Sequence, residues 1–279
     1  MFVLQSEKEV GRIMELFKIK NRYSFEDLLE IVKILRGENG CPWDRKQDHH
    51  SMRQNMIEEA YEVAEAIDAE SDEMMKEELG DVLLQVVFHS QLSREDNRFD
   101  FDDVADGICK KLVERHPHVF GDINVDSTDE VLSNWDKIKQ KSKGQTKYTE
   151  TLESVPKVFP ALMRAQKVQK RAAKSGFAYP DLSWALKALE SEISELKEAI
   201  DKNDGDNIFE EIGDALFSAV NISRMLGVDS ELAAQRSCDK FIKRFSKVED
   251  LVALMDAKME NMTIEELYNL WEKTKEDEI

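Results

Sequence analysis

The stretch EEAYEVAEAIDAESDEMMKEELGDVLLQVVF, residues 58–88, decides the fold of this chain. Apolar residues recur in it every three or four positions, which is the spacing of an amphipathic helix. Ser71 interrupts the pattern, and serine is a preferred residue at a helix N-cap. The stretch therefore predicts two helices that fold back on each other as an antiparallel hairpin.

Four acids lie at matching heights of this hairpin. Glu59 and Glu62 are three residues apart, as are Glu78 and Asp81, so each pair projects from one helix face. Glu62 lies nine residues before Ser71, and Glu78 lies seven after it. If the helices pair as an antiparallel hairpin, the two acidic faces meet.

The same acids return 133 positions later as Glu192, Glu195, Glu211 and Asp214, around a turn at residues 203–205. Four like charges at the edge of an apolar face repel one another and lose water, which is costly unless a cation compensates. Oxygen ligands without Cys or paired His favour hard ions, Mg²⁺ or Mn²⁺ before Zn²⁺. The sequence therefore predicts a metal site that is built twice.

Each half also carries a Lys and an Arg four residues apart on one helix face, and a Trp near its end. Such residues suit a nucleotide, because cations bind phosphate oxygens and an indole ring stacks on a base. The alternatives are a solvated basic pair and a Trp that belongs to the core. The residues are Lys111, Arg115 and Trp135 in the first half and Lys240, Arg244 and Trp271 in the second.

Length and composition limit the class of protein. With 279 residues and 41% apolar content, the chain is expected to form two domains with modest cores. A formal charge of −19 argues against nucleic-acid polymers and anionic membranes as partners. No apolar run approaches the ~18 residues of a membrane span, and the start is unlike a signal peptide, so we expect a cytoplasmic protein. Three widely spaced cysteines fit reduced thiols.

The periodicity is helical nearly throughout, which predicts an all-α fold. The polar stretch 141–160 contains two prolines and is expected to link a domain over 1–140 to a domain over 161–279. Ser24 and Asp27 resemble a capping box that opens a helix through Leu35. Further helices are predicted near 51–69, 73–93, 101–115, 128–140, 162–174, 184–201, 208–226, 230–255 and 264–274.

Other classes of protein also use these residue types. A ferritin-like di-iron protein requires a Glu three residues before a His, and none of the five histidines has one. An HD-type phosphohydrolase requires a His that is directly followed by Asp, and the sequence contains no such dipeptide. His116 and His118 could bind a metal or simply cap the preceding helix. A non-catalytic helical protein that binds a nucleotide or a regulatory partner remains an alternative, and it suits the first domain better than the second.

At several motifs the sequence resembles the MazG nucleoside triphosphate pyrophosphohydrolases, in their long two-domain bacterial form. The resemblance covers nearly the whole chain except the first ~20 residues and the predicted linker, and the order of its motifs is specific. The motifs are GENGCPWDRKQ at 37–47, EEAYEVAEAI at 58–67, EELGDVLLQVVFHSQ at 77–91, RFDFDDV at 98–104, KLVERHPHVFGD at 111–122, PALMRAQKVQKRAAKSGF at 160–177, EEIGDALFSAVNISR at 210–224 and KFIKRF at 240–245.

The resemblance implies a tandem repeat of two four-helix-core domains, dimer formation, and Mg²⁺-dependent hydrolysis of NTPs or dNTPs to the monophosphate and pyrophosphate. It implies that the C-terminal domain is catalytic and that its four acids bind metal. It also implies that Lys240 and Arg244 contact phosphate and that Trp271 contacts the nucleotide. The chain departs from the family pattern at Ser191, where a second acid is frequent, and at Cys238, where Asn is common.

Overall fold

The fold is that of a computed structural model, which describes residues 17–276 and contains no strand among them. The predicted all-α class is therefore confirmed. Two compact units divide the chain, the first ending at Asp136 and the second beginning at Lys137. No helix among the described residues is long and apolar enough to cross a membrane.

Four main helices build the first unit around a hairpin. Helices α2 and α3 pack against each other, and α1 and α4 both pack on α3. The core lies where α1 meets α3, around Val32, Val87 and Phe88. The helices are α1 (Phe25–Arg36), α2 (Arg53–Asp68), α3 (Asp72–Glu95), α4 (Phe101–Arg115), the single turn α5 (Pro117–Phe120) and α6 (Thr128–Ser142), which runs past the end of the unit.

Local capping residues set the beginnings of these helices. Ser24 caps α1 in a capping box with Asp27, as the sequence predicts. Ser71 caps α3 by accepting a hydrogen bond from the N–H of Met74, which confirms the predicted break between the hairpin helices. Asp100 caps α4 in a second capping box.

The loop between α1 and α2 is held by a buried arginine. The Arg36 side chain is 7% exposed and donates hydrogen bonds to the Glu95 carboxylate. It also donates to the carbonyls of Asp44 and Gln47 in the loop, and its guanidinium lies 5.1 Å from the centre of the Phe88 ring. This one side chain therefore ties the loop to α3.

The second unit repeats the hairpin with helices α9 and α10. Helix α8 packs on α10, and α11 packs on α8 and on α12. A small core of Val248, Val252 and Leu270 joins α11 to α12. The helices are α7 (Tyr148–Glu153), α8 (Ala161–Lys174), α9 (Leu182–Asp201), α10 (Gly205–Met225), α11 (Ser230–Leu254) and α12 (Ile264–Glu276).

Helix α7 lies inside the stretch 141–160 for which the sequence predicts a linker. Its first turn is capped by Glu150, whose carboxylate accepts hydrogen bonds from the N–H groups of Thr146 and Lys147. Thr151 of α7 is buried, and Arg171 of α8 donates a hydrogen bond to its carbonyl. The part of the stretch that forms α7 therefore packs against α8.

Candidate metal and nucleotide site

The two hairpin turns fix the register that brings the acids together. Glu70 and Asn203 stand 133 positions apart and both have a left-handed backbone, with φ of 51° and 53°. Directly after them, Ser71 and Asp204 cap the second helix of each hairpin through their side chains. Because the two turns have the same conformation, the two helices of each hairpin pair in the same register. The acids of one helix therefore face those of the other in both units.

In the first unit, the structure brings three of the four predicted acids into one cluster. Carboxylate oxygens of Glu59, Glu78 and Asp81 all lie within 4.8 Å of one another. The more exposed Glu62 stands beside this group, and its side chain hydrogen-bonds with that of Glu59. We call Glu59, Glu62, Glu78 and Asp81 the first acid cluster.

In the second unit, three of the four predicted acids also form one cluster, although the acid left out is a different one. Carboxylate oxygens of Glu192, Glu195 and Glu211 lie within 4.8 Å of one another. Asp214 is exposed and lies outside this group, although its charge acts on Glu192 and Glu211. We call these four residues the second acid cluster. Glu211 is only 9% exposed, and its neighbours in the cluster are acids. Glutamate is rarely buried unless a positive charge pairs with it.

Burial and like charge raise the pKa of two glutamates in each cluster. Loss of water raises the pKa of Glu211 above its ordinary value, and the charges of Glu195 and Glu192 raise it further. The pKa of Glu192 is raised by burial and then by Asp214 and Glu195, while a hydrogen bond from Ser218 lowers it.

The first cluster shows the same effect. Burial is the largest cause that raises the pKa of both Glu59 and Glu78. A hydrogen bond with Glu62 raises the pKa of Glu59 next, and the charge of Glu62 raises that of Glu78. In both units, therefore, one glutamate from each hairpin helix resists ionisation.

These donors fit a hard divalent cation. All of them are carboxylate oxygens, and such ligands select Mg²⁺, Ca²⁺ or Mn²⁺ over softer metals. The causes that shift the pKa of Glu192 are burial, two acids and Ser218, and they include neither Lys240 nor Arg244. A bound cation would supply the positive charge that compensates such a group.

The basic pair and the Trp of the second unit lie on α11 and α12, which pack against each other. Phe241, which follows Lys240, packs against Trp271 with ring centres 5.0 Å apart. The charge of Arg244 reaches Glu272, next to Trp271. Lys240 is exposed, whereas Trp271 is half-buried against the core of this unit. The indole therefore has a core role as well as an accessible part.

The first unit places its basic residues in a similar arrangement. The Arg115 guanidinium lies 5.0 Å from the centre of the Trp135 ring, in a cation–π contact. Lys111 is exposed on α4. His116 ends this helix and its Nδ1 lies 2.6 Å from the Leu112 carbonyl, which is a capping contact.

Two serines make contacts with the acids of the second cluster that were not predicted from the sequence. Ser191 donates a hydrogen bond to Glu195 at 2.9 Å, and the buried Ser218 hydrogen-bonds with Glu192. A signal for Ser218 exists in the sequence: it follows Glu211 by seven residues, and seven residues are close to two helical turns. It therefore lies on the acidic face of α10.

Comparison with protein-family models matches residues 47–120 and 182–249 to the MazG nucleotide pyrophosphohydrolase domain. Both acid clusters lie within the matched segments, while Trp135 and Trp271 lie outside them. The second unit is thus a repeat of the first.

Two curated proteins resemble nearly the whole chain. One, from Thermotoga maritima, is named nucleoside triphosphate pyrophosphohydrolase/pyrophosphatase MazG and is 46% identical over 251 residues, which cover 90% of this chain and 95% of that protein. Another, from Escherichia coli K12, is named nucleoside triphosphate pyrophosphohydrolase and is 40% identical over 257 residues, covering 90% of this chain and 97% of that protein. With both halves matched and both relatives covered almost completely, this chain belongs to the MazG family of nucleotide pyrophosphohydrolases.

Proposed function

We propose that the chain hydrolyses NTPs and dNTPs to the monophosphate and pyrophosphate, and that the second acid cluster is its Mg²⁺-dependent active site. The observation that carries this proposal is the buried Glu211 among like charges. A bound cation would compensate the charge of a carboxylate in such a place. The names of the relatives support the same reaction.

The cluster would hold the cation through Glu192, Glu195, Glu211 and Asp214, with Mn²⁺ as a possible substitute. When bound, such a cation neutralises triphosphate charge and makes water more acidic. Ser191 already donates to one oxygen of the exposed Glu195. We assign Glu195 as the general base, because its other oxygen is free of that bond and can accept the proton of the attacking water.

The remaining predicted residues would bind the rest of the substrate. Lys240 and Arg244 lie one helical turn apart on α11, so their cations suit the charge of the pyrophosphate leaving group. The neighbouring Trp271 offers the exposed part of its ring to the nucleotide. Because it also packs against the core, its substitution affects stability as well as binding.

We also propose that the first acid cluster is a second metal site. Its acids have the same spacing as those of the second cluster, three of them lie within 4.8 Å of one another, and the pKa values of Glu59 and Glu78 are raised. Lys111, Arg115 and Trp135 would be its counterparts of the substrate residues. We assign catalysis to the C-terminal site, which leaves the N-terminal unit a nucleotide- or partner-binding role.

We infer that the chain forms a homodimer in the cytoplasm. In the second unit, large apolar side chains of both hairpin helices are exposed, among them Ile193 (40%), Ile200 (54%), Phe209 (84%) and Leu216 (53%). A second copy is the commonest cover for such a surface. The proposed substrates and free cysteines both suit the cytoplasm. Light scattering of the purified chain tests the dimer.

The proposed activity is tested by incubating the full chain with a panel of NTPs and dNTPs and measuring pyrophosphate and monophosphate together. Both products should form in equal amounts with Mg²⁺ and stop forming when EDTA removes it. Release of inorganic phosphate instead of pyrophosphate, or turnover that EDTA leaves unchanged, would contradict the proposal.

A further inference from the structure

The two acid clusters differ at one buried position. Gln85 follows Glu78 by seven residues, as Ser218 follows Glu211 in the second unit, and the two positions are 133 apart. Seven residues are close to two helical turns, so each side chain lies on the face that carries the acids of its helix. Gln85 is one turn beyond Asp81 and only 3% exposed.

The second unit shows which way this position faces. Ser218 of α10 hydrogen-bonds with Glu192, which belongs to α9. The position therefore points across the hairpin toward the acids of the other helix. Because the two hairpins share their turn geometry and the spacing of their acids, Gln85 occupies the matching position on the acid-bearing face of α3.

The Gln85 amide, however, is not satisfied in the way that Ser218 is. Its oxygen, Oε1, is buried and has no hydrogen-bond partner among the described residues. A buried acceptor without a partner is costly, and buried polar groups in native proteins nearly always find one. The carboxylates of the first acid cluster cannot satisfy an amide oxygen when they are ionised, since they donate no proton.

We propose that Gln85 Oε1 is a fifth oxygen donor of the first acid cluster, which contributes to the binding of a divalent cation there. Amide oxygens are ordinary ligands of hard cations, and a neutral donor adds no further like charge to the cluster. At the matching position of the second unit, Ser218 offers a hydroxyl in place of an amide oxygen. The two sites are therefore different cation sites, the first with an additional amide oxygen. The inference rests on the proposed function, which makes the first cluster a metal site.

The test uses Mn²⁺ as the probe and measures its binding to the full chain by electron paramagnetic resonance of the free ion. Glu211→Gln is present throughout to weaken the second site, so that the remaining tight binding reports on the first. In this background, Gln85→Leu should weaken Mn²⁺ binding about tenfold or more, and Gln85→Glu, which keeps an oxygen, should retain it. Ser218→Ala should leave it unchanged.

A second readout separates this role from simple packing. Leu has nearly the size of Gln and needs no partner, so metal-free Gln85→Leu should be at least as stable to urea as the parent. Unchanged Mn²⁺ binding in Gln85→Leu, or equal loss in Gln85→Glu, would overturn the inference. Glu78→Gln in the same background should abolish the remaining binding. If it does not, the first cluster is not a metal site and that part of the proposed function fails too.

Discussion

Glu70 and Asn203 hold the same left-handed conformation at the same point of two hairpins, with φ of 51° and 53°. In both turns the next N–H bonds, at 3.1 Å, to the carbonyl of a buried alanine, Ala66 in the first unit and Ala199 in the second. The two turns therefore set the register of the acids by the same backbone conformation and hydrogen bond, although their sequences differ.

The difference between these two residues predicts a difference in stability. Left-handed backbone costs most L residues about 1–2 kcal/mol, and Asn tolerates it better than Glu. Glycine removes this cost but adds chain entropy to the unfolded state. Glu70→Gly should therefore stabilise the chain by about 0.5–1 kcal/mol, while Asn203→Gly should change it by less than about 0.5 kcal/mol. Urea unfolding measures both, and equal effects would contradict the explanation.

Arg36 should be the main anchor of the loop between α1 and α2. Its buried guanidinium holds Glu95 and two loop carbonyls, so Arg36→Met should cost about 2–3 kcal/mol of unfolding free energy. Lys33→Met on the same helix is the matched control, because its pair with Glu30 is exposed and should contribute less than about 1 kcal/mol. Hydrogen exchange of residues 37–47 should accelerate in the first variant alone.

The raised pKa values of Glu192 and Glu211 predict how stability depends on pH without metal. A carboxyl whose pKa is raised by folding stabilises the folded chain below its ordinary pKa, and this contribution is lost as the pH rises through the raised value. Without metal, the contribution of Glu192 and Glu211 to stability should thus fall as the pH rises from about 4 toward 7. Added Mg²⁺ should restore this stability, and more so at higher pH, because the cation binds the ionised carboxylates in place of the proton. Chemical unfolding with EDTA and with Mg²⁺ measures both curves.

Glu211→Gln should flatten this dependence. The amide cannot ionise, so the metal-free variant should be more stable than the parent at pH 7 and less stabilised by Mg²⁺. Glu210→Gln is the control, since Glu210 is the exposed neighbour of the buried Glu211. A Glu210→Gln variant that behaves like Glu211→Gln would mean that general surface charge, not the cluster, controls the metal response.

Lys240 provides a test of phosphate binding that leaves the fold alone. It is exposed, so Lys240→Met should not change the unfolding free energy measurably. If it stabilises charge on the leaving group, kcat/KM should fall by about tenfold or more, which corresponds to about 1.4 kcal/mol. Lys243→Met, at an exposed position on the same helix, should retain parental kcat/KM.

Local sequence signals were sufficient for most of the fold. The starts of α1 and α3 follow from Ser24 and Ser71, because a capping side chain acts within its own turn. The spacing of the acids also predicted their grouping, since helical periodicity fixes which residues share a face.

What the sequence could not predict depends on tertiary contacts. Arg171 of α8 donates a hydrogen bond to the carbonyl of Thr151 in α7, which lies 20 residues earlier in the chain. The residues of the polar stretch alone do not predict this contact. The Trp271 indole contacts Phe241 from another helix, so its partial burial follows from packing rather than from a motif. Arg36 likewise meets Glu95, which is 59 residues away.

The central claim is that the second acid cluster performs the hydrolysis, and pyrophosphate release by three variants tests it most directly. With Mg²⁺ and saturating NTP, Glu211→Gln should lower turnover about a hundredfold or more, while Glu210→Gln and Glu78→Gln should retain it. Parental turnover in Glu211→Gln, or a loss confined to Glu78→Gln, would contradict the assignment of the active site.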